Sequence, residues 1–202
     1  MRADARRNHD QLVATARAIF LADGTGTPME EIARRAAVGV GTLYRHFPDR
    51  DALVRAVALD SIQHLVRAGL AARREEADPW KALRRFLHSG GEHRLALALV
   101  RPVLLPTVRQ DRELLDAGQT WYDLLAGMVE RAQAQGRLRS DVGPGDIALA
   151  LGQLTRPIAG LDSEIAAHLP ARLIDLLLDG LQARDRTPLP GGPIAQWWVV
   201  PS

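Results

Sequence analysis

Of its 202 residues, none is cysteine and only 4% are aromatic, and Lys81 is the single lysine. The lack of cysteine excludes disulfides and thiolate metal sites, and is compatible with a reducing compartment. With so few aromatic rings, the core must be built from Leu, Ala, Val and Ile, a composition that favours helices over strands. A large excess of either charge is also absent: the formal net charge is +2. The chain is not a polycation, so any grip on nucleic acid has to come from a local patch. No apolar run approaches the length needed to span a bilayer. The opening MRADARRNHD lacks the apolar core of a secretion signal, so a cytoplasmic protein with no membrane partner is expected.

What is present is arginine, which favours planar, paired contacts to phosphate or guanine. A composition bias of the source genome is the plainer account of that preference. Arg2, Arg6 and Arg7 precede or open the first helical pattern. They suit either a solvated terminus or weak contact with DNA.

The most informative stretch is Thr27 to Leu53. The order Thr27-Pro28-Met29-Glu30-Glu31 predicts a helix start, with Thr27 as cap and acidic residues in the first turn. Ile32, Ala33, Ala36 and Ala37 give that helix a small apolar face. Val38-Gly39 reads as a tight turn in which Gly39 takes the unusual backbone. A second helix follows over about Val40 to His46. It buries Leu43, and Phe47 lies just beyond it, while Thr42, Tyr44, Arg45 and His46 face mainly outward. Pro48 ends it and Asp49 caps the next. Two short helices with such an outward face form a helix-turn-helix, whose second helix fits the DNA major groove.

These residues resemble the TetR-like transcriptional regulators. The resemblance rests on Ala14 to Phe20, Thr27 to Ala33 and, above all, Val38 to Pro48 with Asp49 to Leu53. It covers about the first quarter of the chain. It implies DNA contacts from Thr27, Gly39, Val40, Gly41, Thr42, Tyr44, Arg45, His46 and Arg50. Thr42 offers a hydroxyl to phosphate or base, Tyr44 a phenol and His46 a ring nitrogen, while Arg45 suits guanine or phosphate. Arg50 stands where the family usually places a basic phosphate contact. Two positions depart from the common pattern: Gly39 often carries serine there, and Val40 is often polar or basic. Val40 is left with apolar contacts such as a thymine methyl.

The helical patterns continue to the C-terminal region. The first, about Ala5 to Ala22, puts Leu12, Ala16, Ile19 and Phe20 on one face. A long one from Asp49 to about Arg74 buries Leu53, Val57, Ile62, Leu65, Val66 and Leu70. Others span Trp80 to His88, Glu92 to Leu105 (bent or ended by Pro102 and Pro106), Arg109 to Gln135, Asp146 to Pro157, and Leu161 to Leu181 with a kink at Pro170. The expected fold is therefore all-α. An N-terminal three-helix DNA-binding domain, residues 1–50, precedes a helical effector-binding and dimerisation domain, residues 51–186. A Pro/Gly-rich tail, residues 187–202, carries Trp197 and Trp198, which either fold back or remain disordered.

In the family, the second domain binds a small molecule and the last two helices pair two subunits. The resemblance thus implies a homodimer through Ile147, Leu151, Leu154, Ile158, Leu169, Leu173 and Leu177, although such a leucine stripe also suits a monomer core. Candidate effector-lining residues are Trp80, Phe86, His88, His93, Trp121, Tyr122 and Met128, all of which equally suit a core. The implied activity is repression, with release from a palindromic double-stranded operator when an effector binds. The alternative is a DNA-binding dimer whose C-terminal domain binds protein and takes no effector. No catalytic residue, metal ligand or cofactor is expected. His88-Ser89-Gly90-Gly91-Glu92-His93 has the wrong spacing for a zinc helix, and its glycines would break one. Ser163, Glu164 and His168 lie on one helix without a nucleophile elbow. No phosphate-cradling glycine loop is present.

Overall fold

The computed structural model describes residues 2–89, 111–154, 158, 160–183 and 187–195, and its described residues form eight helices and no strand. In chain order these are α1 (Arg2–Asp23), α2 (Met29–Arg35), α3 (Val40–His46), α4 (Arg50–Glu75), α5 (Pro79–Leu87), α6 (Arg112–Ala134), α7 (Pro144–Leu154) and α8 (Ser163–Leu181). The expected helix over Glu92 to Leu105 lies outside the described residues, as do Pro157, Trp197 and Trp198. Among the described residues, no helix is long and apolar enough to cross a membrane.

Carboxylates start most of the longer helices. Asp49, Asp78, Asp111 and Asp162 each accept a hydrogen bond from a first-turn amide of α4, α5, α6 and α8, respectively. Such caps satisfy amides that have no partner within the helix. Pro79 at the start of α5 loses nothing by lacking an N–H.

The core is continuous from the N-terminal helices into the larger bundle. Leu12, Ala16, Ile19 and Phe20 of α1 pack with Ile32, Leu43 and Phe47 and with Leu53, Val54, Val57 and Ala58 of α4. Further along, α4 packs against α5 and α6. At the crossing, a Cβ on Gly69 would lie 2.3 Å from Leu124 Cδ2 and 3.1 Å from Phe86 Cε2. Only glycine allows that approach. The same contact corrects the expected stripe: Gly69 takes the inward position, and Leu70 is turned out, 52% exposed.

The described part of the tail lies against the turn between α6 and α7. The Gly145 amide donates to the Ile194 carbonyl (2.8 Å), and the Ile194 amide donates to the Asp146 carboxylate (2.9 Å). A Cβ on Gly143 or Gly145 would meet the Ile194 carbonyl oxygen at 2.4 or 2.5 Å. Upstream, the Leu189 amide donates to Asp141 and Arg139 donates to the Thr187 carbonyl.

Candidate nucleic-acid interface

The turn between α2 and α3 is built differently from the sequence expectation. The left-handed residue is Ala37 (φ 55°), whereas Gly39 is extended, φ −67° and ψ 143°. The Ala37 amide bonds the Arg34 carbonyl (3.2 Å) and the Val38 amide reaches back to Ala33 (3.1 Å). That pair of bonds is the Schellman ending of a helix, which fixes the reversal before Gly39 is reached. Val38 is half-buried against the core, as its apolar side chain requires. Gln11 of α1 donates to the Ala36 carbonyl (3.2 Å) and holds the turn against the first helix.

Thr27 also departs from its expected role. No side chain caps α2, and the Thr27 hydroxyl points back to the Gly24 carbonyl at 3.5 Å. The first turn of α2 is instead held by charge. Glu31 bonds Arg34 through both carboxylate oxygens and also bonds Arg35, which reaches Asp23 at the end of α1. The two guanidinium groups lower the Glu31 carboxyl to about 2.

Helix α3 spans Val40–His46 as expected, with Leu43 fully buried and Phe47 buried just beyond. Its outer surface carries Val40 and Tyr44, 40% and 41% exposed, one turn apart. Gly41 opens onto empty space between them. Arg45 lies along the helix, its Nη2 donating to the Thr42 hydroxyl (3.1 Å) and its Nε to the Gly41 carbonyl (3.3 Å). These bonds present a planar guanidinium in one orientation, a geometry suited to paired contacts with guanine or phosphate. His46 is half-buried, its ring 6.0 Å from His9 of α1 and 6.3 Å from Phe47. Thr42, Tyr44, Arg45 and Val40 thus share one accessible surface, and His46 sits at its edge.

Arg50 is set apart. Its guanidinium donates to the Thr27 carbonyl (2.8 Å) and lies 5.9 Å above the Phe20 ring.

The residues expected around an effector occupy two environments. Trp80, Phe86, Trp121, Tyr122 and Met128 are buried in the core between α4, α5 and α6. His88 is on the surface, 3.0 Å from Asp175 of α8, and His93 lies outside the described residues. Sequence reading missed Ser61. It is fully buried within the apolar stripe of α4, and its hydroxyl and that of Tyr122 have no hydrogen-bond partner among the described residues. A serine one turn past Val57 and one before Leu65 was the available signal. Burial raises the Tyr122 hydroxyl above its ordinary range.

The expected pairing surface is also redistributed. Ile147 and Leu151 are covered by the chain's own core and present nothing to a partner. Leu154, Leu169, Leu173 and Leu177 are half-buried. Ile158, Ile165 and Leu176 are more than half exposed, so the uncovered apolar surface falls mainly on α8.

Comparison with known proteins agrees with this architecture at both ends. Residues 12–57 match the family model for bacterial regulatory proteins of the tetR family, and residues 78–183 match the C-terminal domain of SbtR-like transcriptional regulators. A TetR transcription regulatory protein from Mycobacterium vanbaalenii is 31% identical, over 90% of this chain and 98% of its own, with a TM-score of 0.62. A TetR transcriptional regulator from Streptomyces coelicolor is also 31% identical, over 87% of this chain and 98% of its own, with a TM-score of 0.59. The ketosteroid transcriptional regulator of Mycobacterium tuberculosis shares the fold at 18% identity and a TM-score of 0.59, over 87% of this chain and 95% of its own. No curated protein matches the chain.

Proposed function

The chain belongs to the TetR family of bacterial transcriptional regulators, and from that premise we propose a cytoplasmic homodimeric repressor that leaves a palindromic operator when a small molecule binds. The observation that carries the reading is the outer surface of α3. A buried Leu43 and Phe47 fix the helix, while Val40, Tyr44 and Arg45 are exposed and the half-buried Thr42 accepts a hydrogen bond from Arg45. In this reading Arg45 and Val40 read base edges. Tyr44, Thr42 and His46, with the backbone at Gly39, Gly41 and Thr27, meet phosphate and sugar.

Pairing of two heads at one helical turn's spacing needs a two-fold contact. The exposed Ile165 and Leu176 on α8, with half-buried Leu169 and Leu173 between, support that contact. Leu176→Asp places a charge in it, which is expected to shift the protein to monomer in sedimentation and to lower operator affinity by at least tenfold. An unchanged dimer would remove α8 from the interface.

Effector binding is proposed for residues 51–186, near the two buried hydroxyls of Ser61 and Tyr122. Buried hydroxyls without partners are costly in an apolar core and are satisfied when a polar ligand group arrives. Release of DNA then requires that the effector bind the non-binding arrangement of the heads more tightly than the binding one. A metabolite library scored for displacement of labelled operator tests this. Failure of every compound to displace the operator would favour the alternative, a C-terminal domain that binds protein and takes no effector.

A further inference from the structure

We infer that the turn between α6 and α7 is a docking site for the chain's own segment 187–195, which caps α7 and holds that helix in place for subunit pairing. The inference rests on the pairing reading above.

Helix α7 lacks the carboxylate cap that starts α4, α5, α6 and α8. The residue before it is Gly143, which has no side chain to offer, and its first residue, Pro144, has no N–H. The Gly145 amide is thus the first donor of the helix, and it has no acceptor within the helix. The Ile194 carbonyl takes it at 2.8 Å. Asp146, in the same turn of α7, accepts from the Gly143 amide at 2.8 Å and from the Ile194 amide at 2.9 Å. One carboxylate therefore closes the start of the helix and clasps the residue that caps it. Oxygen acceptors suit the place, because they face the positive end of the helix dipole.

The other contacts lie along the same turn. The Ala183 amide donates to the Arg137 carbonyl and the Arg139 amide to the Leu181 carbonyl, both at 3.0 Å. Arg139, paired with Asp141 at 2.6 and 2.7 Å, donates to the Thr187 carbonyl at 3.1 Å, and Asp141 accepts from the Leu189 amide at 2.9 Å. The partners advance in step, so the end of α8 and the segment beyond it follow the turn towards α7. What the site recognises is backbone: an amide and a carbonyl from one residue outside any helix. It also requires glycine, since a Cβ at Gly143 or Gly145 would stand 2.4 or 2.5 Å from the Ile194 carbonyl oxygen. Helix α7 in turn packs against α8, which carries the exposed Ile165 and Leu176, through a face that includes the fully buried Ile147, Ala148 and Leu151. Loosening α7 removes support from the pairing helix.

The test uses the full-length protein with Gly145→Ala and Ile194→Pro. Amide exchange is followed at Ala148 and Leu151 of α7, with Val57 and Ala58 of α4 as reference, and pairing by sedimentation over a concentration series. Alanine by itself favours a helix over glycine, so Gly145→Ala decides by sign. With Ile194 displaced by the new methyl, exchange in α7 is expected to speed about tenfold and the dimer dissociation constant to rise by about the same factor. Slower or unchanged exchange overturns the inference. Ile194→Pro alters no residue of the turn and removes the amide that Asp146 accepts. It is expected to give the same two effects with the α4 amides unchanged, and it decides the matter alone if Gly145→Ala does not fold. Faster exchange in α7 with unchanged pairing overturns the link to the dimer. If the wild type is monomeric at every concentration, the pairing reading fails separately, and exchange in α7 still decides whether the segment is its cap.

Discussion

Ala37 holds a left-handed backbone (φ 55°) at the turn before the outward-facing helix α3. A Cβ crowds the carbonyl in that conformation, and glycine does not. Ala37→Gly should therefore stabilise the protein by about 0.5–1 kcal/mol, read as a higher midpoint in urea. A lower midpoint would mean that the Ala37 methyl contributes packing that its exposed position does not show. The turn was legible in the sequence as a place but not as a mechanism. Gly39 looked like the special residue because glycine usually is, whereas the Schellman bonds of Ala37 and Val38 depend on where α2 stops. Thr27 has the residue type and place of a cap but does not act as one, since the charges of Glu31, Arg34, Arg35 and Asp23 anchor α2 without it. Glu31 supplies its own test. Its carboxyl is lowered to about 2 from an ordinary value near 4.5. Its contribution is complete above that ordinary value and is lost as pH falls towards 2. A carbon-detected titration should place its midpoint near 2, and Glu31→Gln should remove that part of the acid sensitivity. A midpoint above 4 would mean that the pairs with Arg34 and Arg35 do not persist in solution.

Among the elements, α4 shows how far periodicity reaches and where it stops. Its length, its Asp49 cap and most of its buried stripe follow from the sequence, and α3 begins and ends where the pattern put it. The crossing with α6 does not, because a glycine carries no hydrophobic signal. Gly69 matters only through the neighbours that close over it. Gly69→Ala would drive a methyl into Leu124 and Phe86 and should destabilise the protein by about 1–3 kcal/mol. Gly127→Ala on α6 meets only the tip of Arg131, at 4.0 Å. That change should stabilise by about 0.5–1 kcal/mol through helix propensity. Equal effects of the two substitutions in denaturant would refute the close crossing. The tail was equally unreadable: its seat is made by what Gly143 and Gly145 lack, and by carboxylates of Asp141 and Asp146 aimed at its amides.

At the scale of the molecule, α4 is shared between the DNA-reading head and the larger bundle. Arg17 of α1 pairs with Asp60 at 3.1 Å. Arg55 bonds both Asp111, the cap of α6, and Glu113. These pairs tie α4 both to α1 and to the start of α6, and the proposed effector control by population shift would act through that tie. The family resemblance could be read from Ala14 to Leu53, because caps, turn and outward side chains are local, and the all-α plan from the helical patterns along the whole chain. The proposed pairing surface and effector site depend on which apolar residues the chain covers itself, and the buried Ile147 and Leu151 show that a leucine stripe alone does not say. Selection of bound duplexes from a random pool by the purified protein tests the proposed DNA reading most directly. A dimer with one head per half-site should enrich a palindrome whose half-sites are one helical turn apart, with preference lost at one position per half-site in Arg45→Ala. Enrichment of a single, unpaired half-site, or none at moderate salt, would contradict it.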